Sequence, residues 1–153
     1  VVGSPNADSG SNVDNGGFST LAYDPFVSTT DPIVDAGRGF SVTWDFDFPV
    51  ENANQMYRLI SSLGGIGPTE IYGVSIPLTA DDMFWEALFG VFVIPNSQFQ
   101  GRLDNLGDLS LTLAAGPGGA SSWVGMTVWS SCLVFNSSRL PVAASGFVTL
   151  SIY

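Results

Sequence analysis

Hydrophobic and polar positions alternate most strictly between Gly39 and Pro49, where Phe40, Val42, Trp44, Phe46 and Phe48 are interleaved with Ser41, Thr43, Asp45 and Asp47. A period of two over that length is the mark of a half-buried β-strand, with one apolar and mostly aromatic face and one polar face. Shorter apolar runs predict further strands at Glu70 to Pro77, Gly90 to Ile94, Leu109 to Ala115, Ser122 to Phe135 and Gly146 to Tyr153. Gly116-Pro117-Gly118-Gly119 separates two of them and fits only a loop or tight turn. Asp24-Pro25 and Asp31-Pro32 mark reversals or kinks.

Two segments read as helices. Thr79 to Asp82 resembles an N-cap followed by first-turn acids, after which Met83, Phe84, Ala87 and Leu88 share a face and Gly90 offers a stop. Asn54 to Leu63 is a second helical candidate. Together these elements predict a mainly β fold, an antiparallel β-sandwich or jelly roll with one or two short helices. No repeat of 20 to 50 residues points to a propeller or solenoid. Residues Val1 to Gly17 are rich in Gly, Ser, Asn and Asp without periodicity, as in a flexible linker or hinge, which leaves 18–153 as a single sandwich domain. A chain that starts at Val1 is expected to be a processed product or an excised part of a longer protein.

Composition supports a well-filled interior: 45% of the 153 residues are hydrophobic, with 11 Phe and 4 Trp, and only 12% are charged. Charge narrows the function. Fourteen acids face four basic residues, all Arg, giving a net charge of -10. Arg38, Arg58, Arg102 and Arg139 lie far apart in sequence, so no basic cluster is legible, and neither nucleic-acid nor anionic-membrane binding is expected. With no His, imidazole-dependent triads and zinc sites are excluded. The single Cys132 has no internal disulfide partner and reads as a small apolar side chain in a strand. No apolar run is long enough for a membrane helix, so no membrane insertion is expected.

The candidate chemistry is acidic. Asp45 and Asp47 stand side by side on the polar face of one strand, an arrangement that suits acid/base catalysis, a calcium site or a solvated surface. Asp104-Asn105-Leu106-Gly107-Asp108 places oxygen donors around a turn, as a second possible calcium site or a plain Asx turn; calcium is the one cofactor these residues suggest. Asp81 and Asp82 are helix-start acids. Asn136-Ser137-Ser138 is a glycosylation sequon or a polar turn. Trp85, Trp123 and Trp129, with Tyr23, Tyr57 and Tyr72, offer an aromatic platform to the extent that they leave the core.

The hinge-like Val1 to Gly17, the mainly β body and the last strand, Gly146 to Tyr153, together resemble the protruding domain of a small icosahedral positive-strand RNA virus capsid, of the nodavirus, tombusvirus or sinaivirus kind. The resemblance implies a non-enzymatic domain on the virion surface. It also implies self-association as a dimer or trimer, a host receptor that is a protein or a glycan, and RNA handling left to upstream parts. The alternatives are a secreted carbohydrate-binding or lectin-like sandwich module and an acid-active glycoside hydrolase using Asp45 and Asp47.

Overall fold

A computed structural model describes residues 26–29, 33–91 and 97–153. In chain order the strands are β1 (Phe26–Thr29), β2 (Ile33–Val34), β3 (Phe40–Asp47), β4 (Met56–Ser62), β5 (Thr69–Ile71), β6 (Val74–Ile76), β7 (Gln100–Arg102), β8 (Asp108–Ala115), β9 (Thr127–Phe135) and β10 (Pro141–Ile152). One α-helix, α1 (Asp82–Leu88), follows β6. The strands form a five-stranded sheet ordered β2-β10-β9-β4-β7, a three-stranded sheet ordered β1-β3-β8, and the β5–β6 hairpin. All pairings are antiparallel except the short parallel contact of β2 with β10.

The alternation of β3 does what its sequence requires. Val42, Trp44, Phe46 and Phe48 are buried between the two sheets with Leu111 and Leu113 of β8. From the five-stranded sheet, Tyr57, Leu59, Cys132, Val134, Val148, Leu150 and Ile152 meet them. Each fully buried aliphatic or aromatic side chain of this kind contributes about 1.5–3 kcal/mol. The fold is therefore a mainly β, predominantly antiparallel sandwich; jelly-roll connectivity, the finer expectation, is not established by this strand order.

The opposite face of the five-stranded sheet is covered by α1 and the β5–β6 hairpin. Ile60 of β4 and Leu133 of β9 pack there against Ile76, Leu78, Phe84 and Ala87. Asp81 caps the helix, its Oδ1 accepting from Phe84 N at 2.8 Å, while its Oδ2 accepts from Leu63 N at 2.7 Å, Gly64 N at 2.8 Å and Ser62 Oγ at 3.1 Å. One carboxylate thus satisfies a helix start and ties it to the end of β4.

Several boundaries depart from the sequence reading. Asn54 to Leu63 is not a helix but holds β4, a central strand covered on both faces, so Tyr57 and Leu59 serve one interior and Ile60 the other. Glu70 to Pro77 is not one strand but the β5–β6 hairpin, turned by Tyr72 (φ 50) and Gly73 (φ 83). Of Gly90 to Ile94, Gly90 and Val91 close the helix, with Val91 N donating to Glu86 O, and 92–96 lie outside the described residues. Strand β9 begins at Thr127 rather than Ser122, because Ser121–Trp123 forms a 3-10 turn. The expected linker, the Asp-Pro steps at 24–25 and 31–32, and Tyr23 also lie outside the described residues.

Candidate functional site

Antiparallel pairing of β3 with β8 sets Asp47 opposite Asp108 and Asp45 opposite Ser110. The four acidic candidates, Asp45, Asp47, Asp104 and Asp108, consequently line one open hollow of about 560 Å³, together with Arg102. Sequence spacing alone had divided them into two unrelated groups.

Their states differ. Asp104 is committed to its own turn: its Oδ1 accepts from the backbone N–H groups of Leu106 (2.8 Å), Gly107 (2.9 Å) and Asp108 (2.8 Å). The backbone donors, that of Asp108 foremost, hold its carboxyl below the usual carboxylate range. The turn needs glycine at 107, where φ is 102 and an added Cβ would come within 2.4 Å of Phe48 O. Asp108 is shifted the other way, raised first by desolvation and then by the charges of Asp104 and Asp47. Among the described residues no three acidic, His or Cys side chains are grouped to hold a metal ion. At the second candidate calcium locus the chain forms an Asx-type turn in which Asp104 Oδ1 accepts three backbone hydrogen bonds.

Asn136 behaves similarly, its Oδ1 accepting from Ser138 N at 2.9 Å and Leu140 N at 3.0 Å in the turn between β9 and β10. Cys132 is fully buried, and burial pushes its thiol well above the ordinary range, as suits an inert core side chain. The aromatic platform does not assemble as a set. Tyr57 is buried, with its hydroxyl donating to Gln98 O at 2.7 Å and its pKa pushed up to about 12, mainly by burial. Trp123 and Trp129 pack against the two interiors. Among the described members of that set only Trp85 and Tyr72 are exposed, at 43% and 80%.

These two belong to a surface that sequence reading missed. Phe89, at the end of α1, is 76% exposed and stacks on Trp85 with ring centroids 6.4 Å apart. Beside them a groove of about 480 Å³ runs between the end of α1, the β5–β6 turn and the β9–β10 turn, lined by Arg58, Tyr72, Phe89, Phe135 and Arg139 among others. Arg58 is held from below. Its Nη1 donates to Leu88 O at the carboxyl end of α1, its Nη2 donates to Gln100 Oε1 at 3.2 Å, and its guanidinium lies over the Phe135 ring at 5.7 Å. Its pKa is lowered, first by desolvation and then by the charge of Arg139. Among the described residues the only ion pair is Arg38 with Asp35 at 3.3 Å, so no carboxylate among them pairs with Arg58 or Arg139. Two of the four cations of the chain therefore converge on one groove, a convergence no sequence spacing signals.

What the arrangement offers chemically is recognition: an aromatic rim with two guanidiniums in one groove, and a carboxylate-lined hollow built from other residues. Comparison with known protein families and with curated proteins finds no match.

Proposed function

We propose that this chain is a binding and assembly domain, of the kind that protrudes from a small icosahedral capsid, self-associates at the virion surface and carries host attachment on its loops. The observation that carries this reading is the aromatic surface of Trp85, Phe89 and Tyr72 over the thin outer layer. Large aromatics and arginines left in the open mark interfaces, where Trp, Tyr and Arg supply much of the binding energy. Attachment is assigned to the segments richest in donors, acceptors and turn residues, Val50 to Gln55, Pro95 to Asp108, Gly116 to Ser122 and Asn136 to Pro141. The acidic balance of the chain favours neutral sugars or basic protein patches at these loops.

Sedimentation equilibrium of the 153-residue chain tests the reading. A dimer or trimer is expected at high concentration, with Phe89→Ser moving the equilibrium towards monomer at unchanged Tm. A chain that stays strictly monomeric at millimolar concentration contradicts it.

A further inference from the structure

We propose that the groove between Arg58 and Arg139 seats a carboxylate-bearing surface of a second copy of this chain, so that assembly runs head to tail. The inference rests on the assembly reading above and names the partner of that same surface.

Among the described residues, the charge of this groove is not balanced. Arg58 and Arg139 share one groove, and no described carboxylate pairs with either. Each guanidinium makes the other costlier to keep, a cost that an anion between them removes. The planar, multidonor guanidinium matches a carboxylate in shape as well as in charge. The occupant must therefore be acidic, and a chain with 14 acids against 4 arginines presents such a surface in every copy.

The complementary surface is identifiable. On the outer face of the three-stranded sheet, Asp45, Asp47 and Asp108 are exposed with Arg102 as the one cation at their hollow. Like-charge crowding there mirrors that in the groove, and bringing the two together relieves both. Tyr72 and Phe89 add the apolar rim that excludes water and strengthens the ion pairs it surrounds. The groove and the acidic hollow share no lining residue, so they are different patches of the molecule. A contact between different patches is heterologous, so copies either close into a ring, as in a trimer, or continue as an open chain.

The experiment measures self-association of the 153-residue chain by sedimentation, with Tm as the check on folding. Raising salt from about 0.05 M to about 0.5 M weakens association about tenfold as the ion pairs are screened. Arg139→Gln raises the dissociation constant about tenfold, and Arg139→Glu raises it further, without lowering Tm. Arg139 serves better than Arg58, whose guanidinium also holds Leu88 and Gln100. Asp45→Arg likewise weakens association alone, and combining it with Arg139→Glu in one chain restores part of the loss. Association that is indifferent to salt and to Arg139→Glu overturns the proposal but leaves the assembly reading standing, whereas a strict monomer overturns both. Binding of a heparin fragment that requires Arg139, while self-association does not, replaces the second copy by a glycan and overturns the proposal too.

Discussion

The two interiors on either side of the five-stranded sheet are unequal. Among the described residues, 18 are buried between the sheets, including Trp44, Phe46 and Phe48, most of them contributed by strands and the rest by the adjoining turns. Beneath α1 and the β5–β6 hairpin lie six of the described residues, Ile60, Ile76, Leu78, Phe84, Ala87 and Leu133. A helix of seven residues cannot hide all its apolar side chains against so small a layer, and Trp85 and Phe89 are left in the open. The thick interior specifies the fold. The thin one leaves over the surface that we assign to assembly.

Substitution at matched aromatics breaks or sharpens this comparison most strongly. Trp44→Ala empties the thick layer and is expected to cost about 5 kcal/mol, at the upper end for a buried aromatic, leaving little folded protein. Phe84→Ala empties the thin layer and is expected to cost about 3 kcal/mol, since its cover has more freedom to settle into the space. Chemical denaturation of both variants measures the gap; a larger loss at Phe84 reverses the ranking of the layers. Trp44 carries a second feature, a buried indole N–H with no acceptor among the described residues. Its ring burial therefore outweighs an unmade hydrogen bond.

A smaller effect is expected at Asp81. Asp81→Ala removes the helix cap and the tie to Leu63 and Gly64 together, and should cost about 2 kcal/mol, the upper end for a lost cap. Hydrogen exchange should quicken first in α1 and hardly in β3. Equal acceleration in both would mean that the thin layer is not a separable cover.

The pH dependence of the acidic hollow is subtler and has two signs. Asp104 has a lowered pKa in the folded chain, so its stabilising contribution is present at neutral pH and fades as pH falls through that value. Asp104→Ala should accordingly lower Tm at pH 7, with the gap from the parent closing in acid. Asp108 has a raised pKa, so its ionised form opposes folding at neutral pH and the opposition is relieved as pH falls. Asp108→Asn should raise Tm slightly at pH 7 and lose that advantage in acid. Thermal melts across pH 3 to 7 check both, and curves that run parallel for all three chains contradict the assignment.

What the sequence disclosed follows from which surfaces meet water. Strand β3 has one solvated face, so Ser41, Thr43, Asp45 and Asp47 print its register in the pattern. Strand β4 has none, and Tyr57, Leu59 and Ile60 fall without alternation, which reads as readily as a helix. The β5–β6 hairpin was concealed because Tyr72 occupies a left-handed position where Asn, Asp or Gly would announce a turn. The turn at Asp104 and the start of α1 were legible because the bonds that make them are local, although the cap is Asp81 rather than Thr79 and its tie to Leu63 and Gly64 spans distant segments. The joining of Asp47 to Asp108 and of Arg58 to Arg139 was not, because each depends on strand pairing or layer packing between distant segments.

The central claim, that the helix-side surface is where this chain meets its partner, is tested most directly by hydroxyl-radical footprinting at dilute and at concentrated protein. Concentration should protect Tyr72, Trp85 and Phe89 while Tyr153, which is 64% exposed at the end of the chain, reacts equally in both. Unchanged reactivity at Tyr72, Trp85 and Phe89 in a sample that sedimentation shows to be associated would contradict the account.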